Sequence, residues 1–384
     1  MDPVEITALY HRLSRNGATL TPSEYFCLLK YRRGADFQPL DPANRPSPFK
    51  QYHAAERVEL PRELGAGASD AITALAGNGH PRKFAPVSLD LRALARLLHL
   101  CAGVTRSTAR SSQRPRYFRA AMSAGNLHPL EVYVVCGPMD GLSAGVYHFA
   151  PLEFRLDRLR PTDEREFLAH ACATVEDQRP MAGLVITGIP WRTAWKYGER
   201  GWRHLYWDAG AMVANLVAAA EGVSLRVRVL TGFVDDEVAR LVGVDGVEEF
   251  PLVVVELGMG DPTTKAGDTP APAPLRPAVG PLSSNPLVLP LVVGAQRAGV
   301  LDSPLAVRRW REMAEDGAAE TKARQTVCPG GMTIDEAILR RGSTQLMRAE
   351  PVPPENSSTS EWRSSHETSS AISTVSAARL WTII

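Results

Sequence analysis

The sequence predicts an α+β fold, and three segments carry that prediction. Glu131 to Val135 alternates polar and apolar residues, many of them β-branched or aromatic, which is typical of a half-buried strand. Gly183 to Gly188 is a second strand-like run. His204 to Glu221 has apolar residues on nearly every face, interrupted only by Asp208 and Asn215, and predicts a buried helix. This helix is too short and too interrupted to predict a membrane span.

Composition indicates an ordinary enzyme-sized chain. With 384 residues, 44% of them hydrophobic, and a formal net charge of +1, it can bury one large core or two smaller ones. The charge balance favours neither nucleic acid nor a membrane surface as a partner. The opening MDPVEITALY has acidic residues and no long apolar run, so no signal peptide is predicted and a cytoplasmic location is expected. The five cysteines and nine histidines lack disulfide or metal-ligand spacing, so no metal site is predicted.

Changes in composition divide the chain into five predicted parts. The first mixes a helical start with a Pro-rich stretch, and the third is a Pro/Ala-rich linker that cannot make a packed core. The fourth has enough apolar residues between Pro286 and Met313 for a strand-like run and a helix. The last is Ser/Thr-rich without periodicity and is predicted to be disordered. The parts are an arm (1–71), the main domain (72–261), the linker (262–285), a partial further segment (286–350) and the tail (351–384).

A loop of small residues enters the first predicted strand. Ser123, Ala124 and Gly125 lack bulk, so the backbone there can approach a planar ring or a phosphate closely. Ser123 adds a hydroxyl, and the loop adds N–H donors. The loop therefore predicts a site for a flat cofactor. The alternative is a surface turn closed by His128 and Pro129.

A cationic and aromatic block stands before the predicted helix. Between Trp195 and Arg203, a lysine, aromatic rings and two arginines surround two glycines. Helix N–H groups and basic side chains both attract negative charge, so this block suits an anionic, planar ligand. The alternative is a solvated loop whose charges pair with one another.

Several segments in one order carry a family resemblance. They are PVSLDLRALARLLHLCAGVTR (Pro86 to Arg106), MSAGNLHPLEVYVV (Met122 to Val135), GVYHF (Gly145 to Phe149), KYGERGWRHLYWDAGAMVANLVAAAEG (Lys196 to Gly222) and PLVVVELG (Pro251 to Gly258). Together they resemble the SagB-type branch of the nitroreductase-like flavin oxidoreductases. That branch includes the azoline dehydrogenases of thiazole- and oxazole-containing peptide biosynthesis. The resemblance covers about half of the chain, and the upstream stretch Ser47 to Arg62 resembles the usual lead-in of the branch.

The resemblance implies a fold, a cofactor and a reaction. The fold is nitroreductase-like, with a central mixed sheet wrapped by helices, and FMN lies at a homodimer interface. In azoline oxidation a proton leaves the α carbon while hydride leaves the β carbon. Lys196 and Tyr197 match the catalytic pair of the branch, and Lys196 can take the proton if burial or Arg200 and Arg203 lower its pKa. The alternative role of the pair is plain anion binding. A peptide substrate and a cyclodehydratase-type partner are implied as well.

The main domain departs from its relatives at the expected phosphate site. Many relatives carry an Arg-Arg-Ser-x-Arg opening whose guanidinium groups hold the flavin phosphate, whereas NGHPRKF (Asn78 to Phe84) stands here and only Arg82 remains. Arg226, Arg228 or Arg106 is expected to compensate. The predicted cofactor-binding residues are Arg82, Ser123, Ala124, Gly125, Asn126, Arg200, Arg203, Arg226 and Arg228.

The partial further segment, 286–350, resembles the opening of a second nitroreductase-like repeat. Arg340, Arg341 and Ser343 fit that opening, whereas Gln345 and Met347 do not. Two other functions stay open at this point. One is an NAD(P)H-dependent nitro or quinone reductase. The other is a degenerate, non-catalytic peptide-binding subunit of a modification complex, favoured by the missing arginines and the incomplete repeat.

Overall fold

The computed structural model describes residues 2–13, 40–65, 67, 69–77, 89–108, 115–174, 179–258, 271–315 and 331–343. The strands are β1 (Glu56–Glu59), β2 (Val104–Thr108), β3 (Arg116–Arg119), β4 (Leu130–Cys136), β5 (Gly145–Ala150), β6 (Arg155–Arg160), β7 (Ala182–Gly188), β8 (Val227–Leu230) and β9 (Phe250–Leu257). The helices are α1 (Pro3–Leu13), α2 (Ala71–Gly77), α3 (Leu91–Ala102), α4 (Arg165–Ala171), α5 (Pro190–Tyr197), α6 (Gly201–Glu221), α7 (Asp235–Val242), α8 (Pro290–Ala298), α9 (Pro304–Glu315) and α10 (Ile334–Arg340). Arg82 and the predicted tail lie outside the described residues.

Seven strands form one sheet in the order β1-β6-β5-β4-β7-β9-β8, and β2 pairs with β3 in a separate hairpin. The α+β class is confirmed, but the expected mixed sheet is corrected, because every strand pair in the described ranges is antiparallel. Parallel neighbours need a crossover that returns the chain to the same end of the sheet. Here β4, β5 and β6 follow one another as hairpins, and β9 enters from the opposite end to β7.

A hydrophobic core lies on each face of the sheet. Along β4, Leu130, Val132 and Val134 belong to the larger core with α3 and α6, whereas Tyr133 and Val135 belong to the smaller core with α4 and α7. The prediction that this strand is half-buried is therefore wrong, because helices cover both faces and β4 is buried throughout.

The predicted buried helix is α6, which begins three residues earlier than expected. Leu205, Met212 and Leu216 pack into the larger core, whereas Trp207 is 41% exposed. Helix α3 packs beside it and begins where the Asp90 side chain accepts a hydrogen bond of 2.7 Å from the backbone N–H of Ala93. Within the described ranges, no helix is long and apolar enough to cross a bilayer.

Both ends of the described chain join the larger core. It includes Tyr10 of α1, Leu291 of α8 and Ile334 of α10. The strand-like run predicted before Met313 is corrected, because Pro290 starts helix α8 at a position where a helix needs no N–H donor. The five-part division of the chain stays a prediction.

Candidate functional site

The loop before β4 has an unusual backbone. A short 3₁₀ turn spans Ala124–Asn126, and φ is positive at Gly125 (63°), Asn126 (58°) and His128 (49°). The Asn126 side chain donates to the carbonyl of Tyr117 at 2.9 Å, and its amide oxygen lies 3.0 Å from Nε2 of His128. Side chains therefore hold a backbone conformation that residues other than glycine rarely adopt.

The loop meets the predicted lysine–tyrosine pair. A Cβ placed on Gly125 would lie 2.7 Å from Oη of Tyr197 and 3.3 Å from Nζ of Lys196. Helix α5 ends at Tyr197, and Gly198, at φ 55°, turns the chain toward α6. The Lys196 side chain is exposed, with Nζ 5.3 Å from the centroid of the Tyr197 ring. Two blocks separated by about seventy residues of sequence thus form one site.

Asp208 connects the same loop to α6. Its carboxylate accepts hydrogen bonds from the Ser123 hydroxyl at 2.7 Å and from the Ala124 backbone N–H at 3.1 Å. Burial raises the pKa of Asp208 to about 6, although both hydrogen bonds favour the charged form. In the sequence, Asp208 stands out only as an interruption of an apolar helix. The usable signal was a lone carboxylate on a helix predicted to be buried, since such a group needs a partner.

A cleft opens between this loop and α6. Its volume is about 210 Å³, including space open to solvent. The lining residues are Arg119, Ala121, Met122, Ser123, His128, Pro129, Leu130, Asp208 and Met212.

Positive charge is concentrated beside the cleft. Arg119 is 4% exposed and donates to the carbonyls of Pro48 at 2.6 Å and Leu130 at 3.3 Å, whereas its Nε has no hydrogen-bond partner. Burial, with a contribution from Arg119, lowers the pKa of His128 to about 3, so His128 is neutral. The cleft therefore presents an incompletely bonded buried guanidinium.

Two further arginines stand next to this region. Arg341, just after α10, reaches the carbonyl oxygens of Ala120 at 3.4 Å and Arg119 at 3.5 Å. Burial and the neighbouring Arg106 lower the pKa of Arg341. Among the described residues, neither Arg106 nor Arg341 forms an ion pair with a carboxylate. Two guanidinium groups held together in this way suit a shared anion.

Three of the other predicted arginines have contacts outside the loop. Arg200 lies 5.5 Å from the centroid of the Trp207 ring, and Arg203 donates to the carbonyl of His11 in α1 at 2.7 Å. Arg228 forms an ion pair with Glu256, and its Nε lies 2.7 Å from the carboxylate. Arg226 precedes β8, the edge strand.

The strand register explains the distance of Arg226 and Arg228 from the loop. Val227 pairs with Leu257, which pairs with Ala182 at one end of β7, whereas Leu130 pairs with Gly188 at the other end. At about 3.3 Å per residue, these ends lie about 20 Å apart along the strand. Their predicted role in holding the cofactor is therefore unsupported within one chain.

The lead-in segment, Ser47 to Arg62, forms hydrogen bonds and an ion pair with buried charged residues near the loop. Arg192 donates to the carbonyls of Ser47 at 2.7 Å and His128 at 3.1 Å, and it forms an ion pair with Glu131. Burial opposes ionisation of Glu131, but Arg192 and His148 hold its pKa well below the usual range. Lys50 likewise pairs with the buried Glu249 at 2.6 Å. The lead-in is thus built into the scaffold that supports the loop.

The fold and the site together define an α+β protein with a cation-lined cleft beside a lysine–tyrosine pair. Residues 81–259 match the nitroreductase family. Over these residues, which are somewhat less than half of the chain, the protein is similar to the nitroreductase family, which confirms the predicted resemblance for that part of the chain.

Three relatives illustrate the match. A candidate nitroreductase of Methanocaldococcus jannaschii is 28% identical over 181 residues, which are 46% of this chain and 84% of that protein. The microcin B17-processing protein McbC of Escherichia coli is 30% identical over 143 residues, 35% of this chain and 52% of McbC. The trifolitoxin-processing protein TfxB of Rhizobium leguminosarum bv. trifolii is 30% identical over 153 residues, 38% of this chain and 41% of TfxB. The match thus spans about half or less of each processing protein.

Proposed function

We propose that this protein is an FMN-dependent oxidoreductase that converts azoline rings of a peptide to azoles. The observation that carries the proposal is the meeting of the small-residue loop with Lys196 and Tyr197 at Gly125. Two relatives are named for the processing of microcin B17 and of trifolitoxin, which supports the peptide-modifying role that the family resemblance implies.

The residues present fit a flavin. Gly125 allows Tyr197 to approach the loop closely, and the buried Arg119, whose Nε has no hydrogen-bond partner, lines the cleft. Ser123, Ala124 and Asn126 provide the surrounding polar atoms. When bound, FMN supplies a two-electron acceptor.

Arg106 and Arg341 are the residues that would hold the flavin phosphate. They stand beside the cleft without a carboxylate partner among the described residues, and each charge-assisted contact to a phosphate contributes about 1.5–3 kcal/mol. Arg341 comes from the far end of the chain and was not in the predicted set of cofactor-binding residues. This pair takes the place of the family arginines that Asn78 to Phe84 lacks.

Lys196 and Tyr197 would provide the proton transfer and the orientation of the substrate. Conversion of an azoline to an azole removes one proton from the α carbon and one hydride from the β carbon. Lys196, in its neutral form, would accept the α proton at Nζ, and the exposed position of the side chain makes it accessible to a peptide. Tyr197, whose ring packs against that of His204 at an angle of 43° with centroids 4.5 Å apart, would orient the ring of the substrate.

A second copy of the chain would complete the site. The cleft is open to solvent and is lined in part by Met122, which is 57% exposed, and Trp207, the neighbour of Asp208 in α6, is 41% exposed. We therefore include a homodimer in the proposal, together with a cyclodehydratase-type partner that forms the azoline.

The test combines cofactor content with turnover. The purified protein is expected to show the visible absorption of a noncovalent flavin and to remove two hydrogens from a synthetic peptide that contains one thiazoline. Lys196→Ala should keep the flavin and lose about 10²–10⁴-fold in rate, because that is the usual contribution of a general base. Tyr197→Phe should lose less, and the exposed Arg57→Ala on β1 serves as the control.

Each other outcome points to a different function. Colourless protein that also fails to bind added FMN would favour a non-catalytic peptide-binding subunit. Flavin reduction by NAD(P)H with turnover of a nitro compound, and none of the thiazoline peptide, would favour the nitro or quinone reductase. The Methanocaldococcus jannaschii relative gives that second candidate its support.

A further inference from the structure

Among the described residues, Asp208 is the carboxylate of α6 that accepts hydrogen bonds from the loop. It receives the Ser123 hydroxyl at 2.7 Å and the Ala124 N–H at 3.1 Å. The same Ser123 oxygen accepts the backbone N–H of His128 at 2.9 Å. The Ser123 hydroxyl therefore connects Asp208 to the backbone N–H of His128, so both ends of the 123–128 turn are linked to α6.

The turn needs such a fastening. Asn126 and His128 both have positive φ, a conformation that costs free energy for residues with a Cβ. Strained backbone persists only where surrounding contacts over-determine it. Because Gly125 lies inside this turn and against Tyr197, the position of the turn also sets the space between the cleft and the lysine–tyrosine pair.

Asp208 does this without a cation of its own. It is 4% exposed, and within the described ranges it forms no ion pair. Arg119 and His128 line the same cleft as Asp208. Lys196 and Tyr197 lie against Gly125 of the loop, and His204 precedes Asp208 by four residues on α6. Because the hydrogen bonds of this buried carboxylate all go to the loop, its effect is to hold the loop in position.

We propose that Asp208 is a positioning residue that, through Ser123 and Ala124, holds the 123–128 turn in the conformation on which the flavin rests. This inference rests on the proposed function for the identity of the ligand. Asp208 acts through the turn and not on the substrate.

The two hydrogen bonds give the proposal a pH signature. The ionised carboxylate accepts both donors, whereas a protonated carboxyl must donate its own proton and can no longer accept both equally. Since burial raises the pKa of Asp208 to about 6, half of these carboxyl groups are protonated at that pH. Both hydrogen bonds are therefore fully formed only well above pH 6, and they weaken as the pH falls through that value. The flavin phosphate also gains a proton near pH 6, so the measurement compares variants and not absolute pH profiles.

The first experiment measures amide hydrogen exchange of the 123–128 turn in full-length, flavin-free protein. Asp208→Asn is isosteric but can accept only one of the two donors, and we expect faster exchange at Ala124 and His128 above pH 6. Ser123→Ala should act similarly, and the double variant should add little, because both changes break one linkage. Asn215→Ala is the control, since Asn215 lies on the same helix and bonds instead to the carbonyl of Leu100 at 3.2 Å.

The second experiment measures affinity for FMN above and below pH 6. Asp208→Asn should bind roughly tenfold more weakly above pH 6, the loss expected for one hydrogen bond, and the difference from the parent should shrink below pH 6. Unchanged exchange and unchanged affinity in Asp208→Asn, with FMN bound by the parent, would overturn this inference alone. A parent that binds no FMN would overturn it together with the proposed function.

Discussion

At the scale of the residue, the site depends on a few positions where side chains and backbone crowd one another. Gly125 is such a position, because it combines a positive φ with direct contact to Tyr197. Glycine is the residue that meets both conditions without strain. The small residues of the loop predict the close approach of a ligand at Gly125, and the structure adds the contact with the lysine–tyrosine pair.

Gly125→Ala should therefore impair the site without unfolding the protein. The added methyl group would overlap Oη of Tyr197 and impose strain of about 1–3 kcal/mol at a left-handed position. We expect reduced FMN affinity and reduced turnover, measured by flavin titration and by the thiazoline peptide assay. Gly246→Ala is the matched control, since Gly246 has φ 73° and nothing within 4 Å of its added Cβ. Equal losses in both variants would show that backbone strain alone, and not contact with Tyr197, is responsible.

At the scale of the element, α10 provides the clearest example of a distant segment that completes a site. The helix begins with a capping box between Thr333 and Glu336, and it carries Arg341 to the edge of the cleft. Asp335, near its start, pairs with the buried Arg96 of α3, with Nε of Arg96 2.8 Å from the carboxylate. The helix thus has both a local signal and a tertiary attachment.

Arg341→Ala should weaken FMN more than it weakens riboflavin. Loss of one charge-assisted phosphate contact corresponds to about 1.5–3 kcal/mol, or roughly tenfold to a hundredfold in affinity. Riboflavin lacks the phosphate, so its binding should change little. Arg340→Ala is the control, because that side chain is exposed at the end of the helix. Equal weakening of both ligands by Arg341→Ala would assign the arginine to the support of the loop and not to the phosphate.

Asp335→Ala should destabilise the protein through the group that it leaves behind. Arg96 is buried, and removing one partner of a buried ion pair costs about 3–5 kcal/mol because the remaining charge is uncompensated. The free energy of unfolding from urea titration checks this, with the exposed Asp302→Ala as control. The double variant Arg96→Met with Asp335→Leu should recover much of the loss. Failure of the single variant to lower the midpoint would mean that water or the Ala219 carbonyl, 3.2 Å from Arg96, suffices.

At the scale of the whole molecule, segments from both ends of the chain close over α6. Tyr10 of α1 packs edge-on against Trp202 with ring centroids 4.6 Å apart, and Trp202 donates to Gln296 of α8 at 3.1 Å. Tyr10 also donates to the carbonyl of Glu199 at 2.6 Å, so the first helix supports the turn between α5 and α6. The ends of the chain therefore stabilise the lysine–tyrosine block.

Limited proteolysis should cut first between residues 261 and 281, where the sequence is rich in Pro, Ala and Gly. The two pieces should nevertheless elute together, because Leu291, Val292 and Ala295 are buried in the larger core. Denaturing electrophoresis would show the cut, and size exclusion the association. Pieces that separate, or a first cut inside 72–261, would contradict the predicted boundary.

The sequence by itself determined several elements and indicated where a site would lie. Strands β4 and β7, helix α6 and the small-residue loop follow from local composition and periodicity, which are properties of neighbouring residues. The roles of Lys196 and Tyr197 rest on the family resemblance and stay a prediction. Only the tertiary structure decided the antiparallel sheet, the burial of both faces of β4, the contact of Asp208 with the loop and the arrival of Arg341. Each of these depends on which distant segments pack together, and packing over long separations leaves no periodic trace in the sequence. For the same reason Arg203 and Arg228, which looked equally suited to an anion, are instead turned toward α1 and Glu256.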